Sequence, residues 1–230
     1  MLYLIPTFLH EDAIETVPAY VLEAVKKCTV FFVEDEKSAR RYLKRLWREM
    51  VIDDYKWYTI HKAEEQVMQS FTKHLQAGDT IGIISEAGCP CIADPGQILV
   101  NKAQQLGTTI KPLVGPSSIL LALMASGMNG QQFQFNGYLP IDNVARKKAI
   151  KDLEINAIKN NCTQIFIETP YRNMHVLEAL LQGLNDSTSL CVAWDLTLPT
   201  QGVVSQPISV WKKSPLPNLQ KKTAVFLISV

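Results

Sequence analysis

Chemistry is most concentrated in Ser85-Glu86-Ala87-Gly88-Cys89-Pro90-Cys91-Ile92-Ala93-Asp94-Pro95-Gly96, which sets two carboxylates and two thiols among small or rigid residues directly after the apolar run Thr80 to Ile84. A loop of this kind lets backbone come close to a ligand. Val114-Gly115-Pro116-Ser117-Ser118 ends another apolar run and opens a helix-like segment. With Ser117 or Ser118 as N-cap, such a helix start offers free N–H groups and the positive end of a dipole to a carboxylate or another polar group. Glu86 is open to two readings, as a catalytic carboxylate or as a loop-shaping residue whose oxygens accept backbone hydrogen bonds. Asp94, standing before Pro95, reads as a turn opener. Cys89 and Cys91 are one residue apart with no Cys or His set near them, a spacing that does not suit zinc, and no metal site is expected. Neither loop carries the three spaced glycines of a dinucleotide site or the Gly-Lys-Ser/Thr ending of a P-loop.

A second group of charges follows the run Val30 to Val33. Glu34-Asp35-Glu36 complements a helix dipole. In the helix expected over Lys37 to Met50, the side chains of Lys37, Arg40, Arg41, Lys44, Arg45 and Arg48 recur at three- and four-residue spacing opposite an apolar stripe of Tyr42, Leu43, Leu46, Trp47 and Met50. That basic face is either merely solvated or a reader of phosphates. Arg146-Lys147-Lys148 with Lys151 offers another candidate phosphate site. Glu168-Thr169-Pro170-Tyr171-Arg172 reads as a strand-to-helix turn in which Arg172 pairs with a carboxylate or faces a ligand. His10, His61, His74 and His175 have no ligand spacing with one another.

These groups need a frame to hold them. Short apolar runs (Leu2 to Ile5, Val30 to Val33, Thr80 to Ile84, Thr109 to Val114, Gln164 to Ile167, Leu190 to Trp194, Ala224 to Val230) alternate with segments of helical period such as Val21 to Lys27, Ala63 to Ala77, Ile98 to Leu106 and Val176 to Leu184. Runs with little in/out alternation suit strands covered on both faces, so the chain reads as α/β with a largely parallel sheet in its first half and a mixed one in its second. Gly115-Pro116 marks the expected boundary between domains 1–115 and 116–230, with a ligand cleft at their junction. The stretch Asn129 to Asn143 and the proline-rich tail read as irregular. At 230 residues and 47% hydrophobic content there is material for real cores. A formal net charge of +1 supplies no global field for nucleic acid or anionic membranes, so a polyanion partner needs a local patch. Five scattered cysteines and an amino terminus lacking a basic leader point to a cytoplasmic protein with no membrane association.

Four segments carry a family resemblance in order: Ser85 to Gly96, Val114 to Ser118, Asn136-Gly137-Tyr138-Leu139-Pro140 and Phe166 to Arg172. Together they resemble the tetrapyrrole methylase superfamily and, within it, the bacterial small-subunit ribosomal RNA cytidine 2′-O-methyltransferases. The resemblance spans nearly the whole chain. It implies two α/β domains, S-adenosylmethionine (SAM) as cofactor and a homodimer. Position by position, it implies that Gly88, Cys89, Ile92, Ser117, Ser118, Ile167 and Ala193 contact the cofactor. Ribosomal RNA is the implied acceptor, with Arg40, Arg41, Lys44 and Arg172 on the substrate side and Asp35 or Glu86 as the carboxylate that takes the acceptor's proton. This chain departs from the family pattern at Thr7-Phe8-Leu9-His10-Glu11-Asp12, at Glu36-Lys37-Ser38 and at Ala193-Trp194-Asp195-Leu196-Thr197. These are substrate-side positions, so two alternatives stay open: a tetrapyrrole or other small-molecule acceptor, and a protein that binds SAM without turnover.

Overall fold

The computed structural model describes residues 1–60 and 64–230; the expected helix start at Ala63, and His61, lie outside the described residues. The chain divides into two compact units, Met1–Ser117 and Ser118–Val230.

The first unit holds strands β1 (Leu2–Ile5), β2 (Val30–Val33), β3 (Lys56–Thr59), β4 (Ile81–Ile84) and β5 (Ile110–Pro112), with helices α1 (Val21–Val25), α2 (Glu36–Leu46), α3 (Glu64–Gln76) and α4 (Gln97–Gln105) between them. The strands pair in parallel in the order β3-β2-β4-β1-β5. Period-two alternation sends Tyr3, Ile5, Phe31 and Val33 to one face, under Ala24 of α1 and Tyr42 and Leu43 of α2. Leu2, Val30, Phe32 and Ile83 go to the other face, under Phe71 of α3 and Leu99 of α4. Burial on both faces is why these runs lack a polar alternate.

That placement fixes where a ligand can enter. From β2 the chain passes through α2 outward to β3, while from β4 it passes through α4, on the opposite face, across β1 to β5. The two connections diverge, so the carboxyl ends of the adjacent strands β2 and β4 flank a topological switch point. At the other end of the sheet, His74 is locked between the Tyr58 hydroxyl at 3.0 Å and the Asp79 carboxylate at 2.7 Å, a packing role.

The second unit contains α5 (Ser118–Ser126), β6 (Phe133–Tyr138), α6 (Asn143–Asn160), β7 (Thr163–Glu168), α7 (Asn173–Gly183), β8 (Ser189–Trp194), β9 (Gly202–Pro207), α8 (Ile208–Trp211) and β10 (Ala224–Ser229). Its sheet runs β6-β7-β10-β8-β9, with β6 and β7 parallel and the remaining pairs antiparallel. Phe166, Val192 and Phe226 pack against α6, α7 and α8 on one face. Ile165, Ala193 and Val225 pack against Ile119, Ala122 and Leu123 of α5 on the other.

Several expectations need correction. The helix expected over Lys37 to Met50 stops at Leu46; Trp47 is extended, and Lys44 Nζ ties the following turn by donating to the carbonyls of Arg48 and Met50. Met50 is still buried, through that turn rather than through the helix. The stretch read as irregular around Asn129 to Asn143 contains β6, an edge strand largely exposed and therefore without an apolar run to reveal it. The tail likewise contains β9, the opposite edge, ended by Pro207 as befits a strand whose outer side needs no donor. Helix α6 was not foreseen because its apolar residues surround the axis: Ile150 and Leu153 are buried while Val144, Ile155 and Ile158 are exposed.

Candidate functional site

The carboxyl ends of β1, β2, β4 and β5 bring four loops together in the first unit. Beyond β1, Thr7 N–H donates to the Gly88 carbonyl at 2.9 Å and Gly88 N–H to the Phe8 carbonyl at 3.4 Å, so the Ser85–Gly96 loop is stitched to the chain leaving β1. Gly88 has φ +73°, and a Cβ there would lie 3.3 Å from both Leu9 Cδ2 and the Pro116 carbonyl. The Cys89 thiol points at the carbonyls of Gly115 and Pro116, at 3.8 and 3.6 Å, which joins the β4 and β5 loops. Burial pushes this thiol upward, so it stays protonated and can donate. Gly115 is needed for space: a Cβ would sit 2.1 Å from Pro6 Cβ. Cys91 and Ala93 both hold left-handed φ angles, +68° and +66°, a conformation that costs non-glycine residues energy and clusters at working loops.

On the β2 side the carboxylates gather. Asp35 is the N-cap of α2, its Oδ1 accepting from Ser38 N–H at 2.7 Å and from the Ser38 hydroxyl at 2.9 Å. The same hydroxyl reaches Glu86 Oε1 at 3.4 Å, and Glu86 N–H donates to Glu34 Oε2 at 2.9 Å. Asp35 and Glu86, separate in sequence, are therefore brought to one place by Ser38. Asp94 joins them: burial, and then the charge of Glu34, with a smaller push from Glu86 and a partial offset from the Ser85 hydroxyl, raise its carboxyl to about 6. Sequence reasoning missed Glu34, Ser38 and Asp94 as members of this group. Their signal was the pairing of two acidic strand ends, legible only once β2 and β4 are known to be neighbours.

Ile92, on the same loop, is 51% exposed, an apolar side chain held open to solvent. Ser117 and Ser118 are half-buried, and α5 begins at Ser118. In the second unit Ile167 and Ala193 flank Val225 on one register row, and Ala193 in turn pairs with Val203. Val203 lines a groove of about 550 Å³ together with Leu121, Met124 and Thr197.

The basic residues are less free than their spacing suggests. Arg40 pairs with Glu36 and lies over the Trp57 ring at 5.2 Å. Arg41 and Arg45 share Glu11, at 3.5 and 3.8 Å, and Lys44 is occupied by backbone carbonyls. Arg172 is 2.9 Å from Glu168 and donates to the carbonyls of Leu139 and Pro140, so it braces the end of β7.

The donor set of the first unit fits adenosine and methionine moieties: backbone N–H and carbonyl groups at close-packed loops, an open apolar Ile92, and no lysine or arginine among the loop residues. The carboxylates suit a sulfonium, which is a cation. Among the described residues no group of three or more His, Cys, Asp or Glu is placed to hold a metal ion, and no helix is long and apolar enough to cross a membrane.

No protein-family model matches the chain. Among solved structures, the fold is similar to the methyltransferase CobJ (17% identity, TM-score 0.59, 94% of this chain and 88% of that one) and to the cobalt precorrin-4 methyltransferase CbiF (14%, TM-score 0.60, 99% and 94%). It is also similar to the Thermus thermophilus uroporphyrin-III C-methyltransferase complexed with S-adenosyl homocysteine (13%, TM-score 0.55, 99% and 96%). Among curated proteins, the ribosomal RNA small subunit methyltransferase I of Vibrio cholerae is 30% identical over 91% of this chain, and that of Escherichia coli O157:H7 is 32% identical over 63% of it. The relatives are longer: the match spans 69% of the Vibrio protein and 49% of the Escherichia protein. A parallel sheet whose carboxyl-edge loops converge, a mixed second sheet, and identity sustained over nine-tenths of the sequence together place this chain in the ribosomal RNA small subunit methyltransferase I family.

Proposed function

We propose that this chain transfers the methyl group of SAM to a ribose 2′-hydroxyl of small-subunit ribosomal RNA, acting as a cytoplasmic homodimer. The observation that carries the reading is the Ser85–Gly96 loop at the switch point of the parallel sheet, in a chain 30% identical to the Vibrio cholerae enzyme over 91% of its length. Gly88, Cys89, Ile92 and Ser117 of the first unit and Ser118, Ile167 and Ala193 of the second are the residues proposed to contact the cofactor. When bound, SAM supplies an already activated methyl group on sulfur, so the protein's work is alignment and proton removal.

The chain's own residues suit that division of labour. Ser38 fixes Asp35 and Glu86 relative to each other, and Asp35 is committed to capping α2, which leaves Glu86 as the more accessible of the two carboxylates. Arg40, Arg41 and Lys44 on α2, with Arg172, are proposed to meet RNA phosphates. Their local carboxylate and carbonyl partners make the grip a modest one, opened by exchange of Glu11 or Glu36 for phosphate. The decisive experiment maps 2′-O-methylation of small-subunit RNA in cells with and without the gene, alongside transfer of labelled methyl from SAM to unmethylated small subunits by the purified protein. A site lost on deletion and restored in vitro supports the proposal. An unchanged methylation map and no transfer refute it.

A further inference from the structure

We propose that Asp94, which the sequence presents as a turn residue, is the group that receives the proton of the methyl acceptor. This deepens the methyltransferase reading and rests on it. Asp94 is placed by geometry. Its loop leaves β4 at the point where the β2 and β4 connections diverge, and the left-handed backbone at Cys91 and Ala93 folds the loop back so that Asp94 returns beside Glu34 and Glu86. The charged and titratable groups facing it are Glu34 from the end of β2, and Glu86 and the Cys91 thiol from its own loop, none of them a cation.

A second observation points to a missing polar partner at this place. Ser85 is 4% exposed, and its Oγ, which stands against Asp94, has no well-formed hydrogen bond among the described residues. A buried hydroxyl left without a partner is costly, and a polar atom of a bound acceptor would supply one. Asp35 is poorly suited to the proton-accepting role because Ser38 N–H and hydroxyl occupy its Oδ1. Glu86 is exposed, with no environment that holds a proton near neutrality. Asp94 is part-buried among like charges, which leaves its carboxyl at about 6, close to a working pH and so effective in proton transfer. In the reaction, the acceptor oxygen's lone pair forms the new O–C bond, the C–S bond breaks with its electrons left on sulfur, and the hydroxyl proton passes to the Asp94 carboxylate. The proton then leaves to solvent.

The test combines a titration with kinetics on the full chain. Carbon-13 NMR of aspartate-labelled protein, with Asp94→Asn to identify the signal, is expected to show a carboxyl titrating at about 6 that moves down in Glu34→Gln. Single-turnover transfer from SAM to unmethylated small subunits is expected to rise with pH through the same midpoint and then level. Asp94→Asn should lower the plateau about 100-fold or more while calorimetry shows SAM binding retained; Asp94→Glu should restore part of the rate. Wild-type rates in Asp94→Asn, or a signal titrating near the ordinary aspartate value, would overturn the assignment. If the wild-type protein transfers no methyl to RNA while the titration behaves as expected, the acceptor reading fails and Asp94 remains the proton-holding group of the site.

Discussion

Gly115→Ala tests whether the site depends on backbone approach. Gly115 has no positive φ, so alanine suits its dihedrals and the effect must come from space alone. The added Cβ would lie 2.1 Å from Pro6 Cβ and 2.5 Å from Pro6 Cγ. Ordinary contact begins near 3.4 Å, so the chains leaving β1 and β5 must part by 3.4 − 2.1, or about 1.3 Å. The proline ring cannot rotate aside, because its Cα is only 3.6 Å away. Overpacking of this kind costs about 1–3 kcal/mol, and at roughly 2–4 °C per kcal/mol for a chain of this size the melting temperature should fall by about 2–12 °C. The same movement displaces the Gly115 and Pro116 carbonyls that the Cys89 thiol faces, so SAM binding should weaken as well. Gly130→Ala is the control, since nothing lies within 4 Å of its Cβ and its φ is not positive. It should melt within about a degree of wild type or slightly above it. Differential scanning calorimetry and titration calorimetry with SAM decide the matter. Equal melting and equal SAM affinity for Gly115→Ala and Gly130→Ala would refute the close-approach argument.

Asp35→Ala should cost about 0.5–2 kcal/mol through loss of the α2 cap, whereas Asp35→Asn should keep both stability and methyl transfer; a large rate loss in a stable Asp35→Asn would give Asp35 a chemical role after all. Burial pushes Glu154 upward, but hydrogen bonds from the Thr188 hydroxyl, the Asn185 N–H and Lys151 outweigh it and hold the carboxyl below its ordinary value. The stability this contributes is present above the ordinary glutamate range and disappears as pH falls through the lowered value. Glu154→Ala should therefore destabilise by about 1–3 kcal/mol at pH 7, with the gap to wild type closing in acid, as urea denaturation at both pH values would show. Asp94 has the opposite sign. Its carboxyl is raised to about 6, so its cost is present above that pH and is relieved as pH falls through it toward the ordinary aspartate value. Asp94→Asn is expected to melt above wild type at pH 7.5 and level with it near pH 4.5; a lower melting temperature at pH 7.5 would contradict the strain ascribed to the site. Replacing Arg41 and Arg45 with glutamine should flatten the salt dependence of RNA affinity, and an unchanged slope would remove α2 from the RNA surface.

How much of this was legible beforehand differs by element. Strands buried on both faces, such as Val30–Val33 and Ile81–Ile84, announce themselves as unbroken apolar runs, and glycines at the ends of α3 and α4 mark where those helices stop. Edge strands β6 and β9 were invisible because half of their surface faces solvent and their composition is that of a loop. The site divides along the same line. Backbone-lined positions such as Gly88 and Gly115 can be picked out because only glycine tolerates their φ or their neighbours. Asp35 and Glu86 were named as strand-end carboxylates, but their shared contact with Ser38 was not, and Asp94 was taken for a turn former.

The sequence by itself determined the fold class, the family motifs and the small-residue loops, since these depend on local steric rules and on burial patterns written along the chain. Tertiary structure alone decided that β2 lies beside β4, with no strand between them, although α2, β3 and α3 separate them in sequence. That adjacency places Glu34, Glu86 and Asp94 together, and proton affinity is set by the charges and the solvent around a carboxyl, which chain order does not encode.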